Sequence, residues 1–349
     1  MALRSKTLIL IGTAGLLALT GTLTGCSSKA AAGPLSEAAG TGANNHPDWS
    51  QYTFTIGDNG GDGSQDLAKI TGVFDNAPYK VKFARFTYGP PLVQAAASGD
   101  IDLGSVGDVP PITGAAQEYG FKIVAVQRSL TPTQPDENII VPKGSSIQTL
   151  AQLKGRKIAV PQGSSAHGLV LNALKSVGLT TKDVQLDFLS PAAGATAFAT
   201  GKVDAWAIWN PQSAIAISNG ARVLAKGLPP IDQTSSYYVA SNASLDNPTK
   251  RAALTDLLER LSKEFAWAVK HPDQYAQAVA EEDGISQADA KISVAAQESR
   301  VTAVLPSDVT AEQRLSDAFL AAGQIGKQVD VSSIIESILP AGYDSSKTG

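Results

Sequence analysis

The chain has 349 residues, and its 28 Lys and Arg against 32 Asp and Glu give a formal net charge of −4. Charges of both signs are interspersed, and without a basic stripe the sequence argues against nucleic acid as a partner. Beyond the N-terminal segment, no apolar run is long enough to predict a membrane span.

The N-terminal segment determines the expected compartment. Arg4 and Lys6 precede an apolar run over residues 7–19, which is too short and too rich in Gly and Ala to span a bilayer comfortably. The run leads to Leu23-Thr24-Gly25-Cys26, and Cys26 is the only cysteine of the chain. This pattern resembles a bacterial lipobox. We therefore expect a lipoprotein signal peptide over residues 1–25, lipidation of Cys26 and an extracytoplasmic, membrane-anchored protein. The alternative is an ordinary signal peptide with a chance cysteine.

The segment after the cysteine predicts a flexible tether over residues 26–50, because it is rich in small residues and has almost no large apolar one. The roughly 300 residues that remain exceed what one hydrophobic core usually holds, which favours two lobes.

Strands and helices alternate in the remaining sequence, and this alternation predicts an α/β fold. The predicted strands are 52–57, 79–86, 101–103, 121–127, 138–141, 157–160, 184–189, 203–209 and 237–241. The predicted helices are 65–74, 90–98, 109–119, 165–177, 192–200 and 211–219, followed by a mostly helical tail from 248 to about 339. We expect lobe one over 51–141 and 239–345 and lobe two over 142–238. Two hinge crossings near Val141 and Tyr238 would then border a ligand cleft between the lobes.

The most informative local pattern is Gly163-Ser164-Ser165-Ala166-His167, which directly follows a predicted strand and opens a helix. Backbone N–H groups at a helix start lack intrahelical partners and favour an anion, and two hydroxyls add donors. We expect His167 to be neutral there and to donate a hydrogen bond. The alternative is a plain serine N-cap that faces solvent.

Two further loops follow predicted strands. In Gly104–Asp108, Ser105 and Gly107 are candidate ligand contacts, and we interpret Asp108 mainly as a helix N-cap. In the loop that contains Gly60, Gly61 and Asp62, neither a calcium loop nor a dinucleotide fingerprint is complete, so close approach of a ligand to the backbone is favoured.

Trp206 and Trp209 lie three apart on one predicted strand and therefore face opposite sides. We expect Trp209, with the adjacent Asn210, to border the cleft. The three histidines have no metal-ligand spacing, and no G-x-S-x-G nucleophile elbow is present. The sequence therefore predicts no metal site, no cofactor and no catalytic residues.

Three stretches, residues 89–112, 140–179 and 203–211, resemble the aliphatic-sulfonate-binding proteins of ABC importers, a group that also includes taurine and nitrate binders. The resemblance extends in order and spacing over residues 54–270. It implies a two-lobed periplasmic-binding-protein-like fold that closes on a small anion, with a sulfonate favoured. The implied partners are an ABC permease with its ATPase, the membrane through Cys26, and no second copy of the chain.

By this resemblance the family's binding turns fall on Gly163, Ser164, Ser165 and His167, and on Ser105 to Asp108. Where sulfonate-type members have W-D-P, this chain has Trp209-Asn210-Pro211. Loss of that carboxylate weakens the case for a ligand with a positive amine, such as taurine.

Other functions also fit the sequence. The same fold would also suit nitrate, a sulfate ester or a thiamine-precursor pyrimidine. An exported enzyme or a ligand-sensing partner of a membrane receptor belongs to a different class, and the absent thiols and nucleophile elbow argue against the enzyme.

Overall fold

The computed structural model of the protein describes residues 47–59 and 64–347. The expected signal peptide, Cys26 and most of the tether lie outside the described residues, as do Gly60, Gly61 and Asp62. Trp49, which the sequence assigns to the tether, is buried and packs on Tyr79, with ring centroids 6.3 Å apart. The folded unit therefore begins slightly before the expected boundary at residue 50.

The described strands fall into two mixed sheets. The strands are β1 (Thr53–Asn59), β2 (Lys80–Phe86), β3 (Leu103–Gly107), β4 (Phe121–Ser129), β5 (Glu137–Val141), β6 (Lys157–Val160), β7 (Gln185–Phe188), β8 (Ala205–Trp209), β9 (Arg222–Lys226), β10 (Ser235–Ser241) and β11 (Ser299–Thr302). The first sheet has the order β11-β4-β10-β3-β1-β2, and the second has the order β7-β6-β8-β5-β9. Parallel pairs such as β1·β3 and β6·β8 lie beside antiparallel pairs such as β10·β3 and β5·β8.

Helices connect these strands and cover both sheets. They are α1 (Ser64–Thr71), α2 (Gly89–Ser98), α3 (Val109–Ala116), α4 (Ser165–Ser176), α5 (Pro191–Ala199), α6 (Gln212–Ser218), α7 (Asn242–Leu245), α8 (Pro248–Lys270), α9 (Pro272–Asp283), α10 (Gln287–Ala296) and α11 (Pro306–Ala321). None of the helices described is long and apolar enough to cross a membrane.

The expected two-lobed α/β architecture is confirmed. The chain leaves the first sheet after β4, builds the second sheet from β5 to β9, and returns with β10. The two crossing segments are residues 130–136 and 227–234.

The positions of the crossings differ from those that we expected at residues 141 and 238. β5, expected in lobe one, pairs with β8 and β9 of the second sheet, whereas all of β10 pairs with β3 and β4 of the first. Both strands are short apolar runs that suit the interior of either sheet, so the hydrophobic pattern does not specify their partners.

The segment Gly104–Asp108, expected as a turn, also differs, because β3 continues to Gly107. Gly104 is needed within this strand for close packing, since a Cβ there would lie 2.8 Å from Leu92 Cδ2. β9 and β11 were not predicted from the sequence, and β11 interrupts the expected helical tail.

Lobe one is held together by α8, whose apolar face packs on the first sheet through Leu254, Leu257 and Leu261. The start of the helix is also tied to the sheet through Asp102, which is buried beside β3. One Asp102 carboxylate oxygen accepts from the Thr55 N–H at 2.7 Å, and the other pairs with Lys250 Nζ at 2.6 Å. Asp102 therefore links β1 to the start of α8 within lobe one.

Candidate functional site

A cavity of about 140 Å³ lies where the two lobes meet. Most of its lining residues carry hydroxyl, amide or carboxyl side chains, and they come from both lobes and from both crossing segments. The described lining residues with polar side chains are Asn59, Ser105, Asp108, Gln127, Ser129, Gln134, Asp136, Glu137, Ser164, Ser165, Trp209, Asp232, Thr234, Ser235, Ser236, Gln297, Glu298 and Ser299. Such a concave, polar space at the ends of strands is a suitable site for a small polar ligand.

The two predicted turns meet across this cavity. β3 ends at Gly107 and leads into α3, while β6 leads through Gly163 into α4. Gly107 and Ser165 are in close contact, because a Cβ on Gly107 would come within 2.8 Å of Ser165 Cβ. Ser105, Gly107, Asp108, Ser164 and Ser165 all line the cavity, so the structure brings together five of the residues selected from the two turns, whereas Gly163 and His167 are not among the described lining residues.

The serine hydroxyls at the start of α4 already have partners within the protein. Ser164 Oγ donates to the Pro161 carbonyl at 2.7 Å, and Ser165 Oγ donates to Glu137 Oε2 at 2.8 Å. The Ser164 side chain makes no cap hydrogen bond, so the plain N-cap interpretation does not describe it. The N-terminal N–H groups of α4 are therefore the main anion-attracting feature of this turn.

His167 lies behind the turn instead of in the described cavity lining. It is 1% exposed, and its ring packs edge-on against Phe188 and Phe319. Its Nδ1 accepts a hydrogen bond from the Gly163 N–H at 3.3 Å. Burial lowers the pKa of His167 to about 4, so the ring is neutral as expected. It supports the turn from behind, and it is not positioned to donate to a ligand in the cavity.

The tryptophan pair divides as expected. Trp209 lines the cavity, whereas Trp206 is buried against Phe198 in the core of lobe two. Asn210 is 2% exposed and is not among the described lining residues; its backbone N–H donates to the Asp136 carbonyl at 2.9 Å. An inference about the ligand from the Asn210 side chain therefore lacks a structural basis.

Four acidic residues, Asp108, Asp136, Glu137 and Asp232, converge on the cavity as an acidic cluster, and only Asp108 was selected from the sequence. Asp136, Glu137 and Asp232 lie in or beside the two crossing segments, and Asp108 follows β3. Acidic residues in or beside both crossing segments could have indicated this cluster, but only if the positions of the crossing segments had been known.

Burial and mutual repulsion shift the acidity of this cluster. Burial, with a further contribution from Asp232, raises the pKa of Asp136 to about 7. The same two causes raise the pKa values of Asp108 and Glu137 well above their usual range. Asp108 occupies the N-cap position of α3 as expected, but its side chain makes no cap hydrogen bond.

No grouping of His, Cys, Asp and Glu within the described parts of the chain could hold a metal ion. The acidic cluster is thus an arrangement of carboxyl groups around a cavity without the geometry of a metal site.

Comparison with known proteins gives a consistent family. The family model described as NMT1/THI5 like matches residues 67–275. A protein of Escherichia coli K12 named for binding aliphatic sulfonates is 44% identical over 46% of this chain, and the match spans 50% of that protein. A protein of the same name from Bacillus subtilis 168 is 28% identical over 78% of this chain and 82% of its own length.

Among solved structures, the alkanesulfonate-binding protein of Xanthomonas axonopodis pv. citri bound to MOPS superposes with a TM-score of 0.76 at 29% identity. The superposition covers 84% of this chain and 99% of that one. A desulfurization enzyme shares the fold at 16% identity, with a TM-score of 0.59 and coverage of 82% and 97%, so the fold alone does not separate binders from enzymes.

Because the pKa of Asp136 is raised, the free energy of unfolding should depend on pH, and Asp136→Asn should remove this dependence. Between about pH 4 and about pH 7, folded Asp136 retains a proton that the unfolded chain has lost, so its contribution to stability falls as pH rises. We expect the free energy of unfolding of the variant, relative to wild type, to increase across this window in urea titrations. The exposed Asp246→Asn controls for loss of one charge, and a constant difference for Asp136→Asn contradicts the assignment.

Proposed function

Because the chain belongs to the NMT1/THI5-like family, we propose that it is an extracytoplasmic solute-binding lipoprotein that captures a small organic sulfonate. It delivers this ligand to an ABC importer and acts as a monomer held at the membrane through Cys26. The observation that carries the proposal is the polar cavity between the lobes, which has the N-terminus of α4 at its wall.

The cavity chemistry supports an oxyanion with several acceptor oxygens. A sulfonate keeps its charge at physiological pH and has three oxygens to accept hydrogen bonds. The N-terminal N–H groups of α4 attract such a group, and the hydroxyl and amide lining supplies neutral donors around it. The names of the similar E. coli, B. subtilis and Xanthomonas proteins support the same ligand class.

We further propose that the protein binds its ligand without transforming it, and this part rests on the names of the relatives and on the sequence. The only cysteine of the sequence is Cys26, at the expected lipidation position, so no cysteine is available for thiol catalysis in residues 27–349. His167 is buried behind the turn, and the cavity serines Ser164 and Ser165 donate to Pro161 and Glu137. The cavity lining that the structure describes therefore has neither a cysteine nucleophile nor a histidine base.

The direct test is calorimetric titration of the purified protein with small alkane- and aminoalkanesulfonates and with MOPS. The buffer must be free of sulfonates, because many common biological buffers contain this group. We expect at least one sulfonate to bind. At a hundredfold excess over Kd it should raise the free energy of unfolding by about 2.7 kcal/mol, which a higher thermal midpoint would report. Binding of nitrate, a sulfate ester or a thiamine-precursor pyrimidine with no response to any sulfonate would replace the ligand assignment.

Lobe closure predicts an effect of Gly107→Ala. The added methyl group would press on Ser165 across the lobe contact, and overpacking of this kind costs about 1–3 kcal/mol. We expect sulfonate affinity to fall roughly tenfold to a hundredfold, measured by calorimetry. Gly326→Ala is the matched control, because no atom lies within 4 Å of the added group. Unchanged affinity in Gly107→Ala would mean that binding does not require this contact.

The anchor is tested by Cys26→Ser. No other residue of the chain can form the acyl thioether, so we expect the variant to leave the membrane fraction or to accumulate as uncleaved precursor. Fractionation followed by mass spectrometry of the processed N-terminus measures both outcomes, with Ser27→Ala as control. Normal processing and membrane retention of Cys26→Ser would refute lipidation at this residue.

A further inference from the structure

The charge of the cavity does not match a ligand that is only an anion. Five lining residues carry carboxyl groups, the acidic cluster and Glu298, and no described lining residue is Lys, Arg or His. Each of these carboxyl groups that ionises repels the charge of a simple alkanesulfonate, and low solvent content strengthens that repulsion, whereas a cationic group favours the ionised form.

The acidic cluster also has oxygen atoms without hydrogen-bond donors. Asp108 is 7% exposed and Glu137 is 5% exposed, yet Asp108 Oδ1 and Glu137 Oε1 accept no hydrogen bond from any described residue. Asp136 Oδ1 is buried and lacks a donor as well. Asp232 lies within hydrogen-bonding reach of Glu137. Buried carboxyl oxygens that line a cavity without donors are suited to a ligand that supplies donors.

The three elements that carry these groups approach the cavity from different directions. Asp108 follows β3 of lobe one, Glu137 begins β5 of lobe two, and Asp232 lies in the returning crossing segment. A primary ammonium has three N–H donors and one positive charge, so it can be shared among groups arranged in this way.

We propose that Asp108, Glu137 and Asp232 form a subsite for a cationic group of the ligand, which makes the ligand a zwitterionic aminoalkanesulfonate. This inference rests on the proposed function, because it assigns the sulfonate to the N-terminus of α4. It reverses the expectation drawn from Asn210, whose side chain is not part of the described lining.

The start of α4 lies close to the acidic cluster, which favours a short ligand. Ser165 opens α4, and its Oγ donates to Glu137 Oε2 at 2.8 Å, so a single side chain joins the anion-attracting helix start to the acidic cluster. The cavity of about 140 Å³ is correspondingly small. We therefore propose a linker of two or three carbons between amine and sulfonate, as in taurine and homotaurine.

The test compares ligands that differ only in the amine: taurine against ethanesulfonate, and homotaurine against propanesulfonate, each by calorimetry on the wild-type protein. We expect each amine-bearing ligand to bind at least roughly tenfold more tightly than its partner. Equal or tighter binding of ethanesulfonate and propanesulfonate would overturn the cationic subsite and leave the sulfonate function standing. Failure of all four ligands while MOPS binds would overturn the short zwitterionic ligand, and failure of all four and of MOPS would overturn the sulfonate function itself.

Glu137→Gln and Asp232→Asn then assign the preference to these residues. Each variant removes one carboxylate with little change in shape, so taurine should bind more weakly while ethanesulfonate binds more tightly. General damage to the fold would weaken both ligands, and Asp246→Asn, which removes an exposed carboxylate, should alter neither. An unchanged taurine-to-ethanesulfonate ratio in both variants would overturn the role of the cluster.

Discussion

The rest of the site depends on one constraint, the enclosure of several carboxyl groups where two lobes and two crossing segments meet. Asp108, Asp136, Glu137 and Asp232 come from separate elements, and only the fold brings them together. Charged groups of the same sign cannot all be removed from water without compensation. The folded protein must therefore keep protons on some of these groups or receive a positive charge from outside. This requirement links the architecture to the choice of ligand.

The contact between the lobes at α4 is apolar behind the turn and polar where it faces the cavity. Behind the turn, α4 of lobe two packs with α3 and α11 of lobe one through residues that include Val109, Leu171 and Phe319. Gly168 allows this approach, since a Cβ there would lie 2.8 Å from Val109 Cγ2. His167 is enclosed in the same region and remains neutral. Apolar packing therefore fixes the position of the α4 N-terminus, while the facing polar surface remains available to a ligand.

The sequence predicted most of the elements and both turns because hydrophobic periodicity and helix-start signals are local properties. It did not predict which sheet β5 and β10 join, because both strands suit either interior. The acidic cluster was missed for the same reason, since Asp136 and Glu137 acquire their role only from the position of the crossing. Local reasoning also favoured Asn210, which adjoins the site in sequence but contributes a backbone N–H to Asp136 instead of a side chain to the cavity.

The N-terminus of α4 and the acidic cluster attract opposite charges at one small cavity. This pairing favours selection among ligands by charge more than tight binding of a simple anion or a simple cation. A simple anion gains the helix N-terminus but meets the acidic cluster, and a simple cation gains the cluster but leaves the helix N–H groups without an acceptor. A zwitterion of matching length satisfies both features, because each charge meets its complement. Since the carboxyl groups come from both lobes and a crossing segment, the cationic group would also offset the repulsion that opposes closure. Ligand selectivity and lobe closure thus share one physical cause.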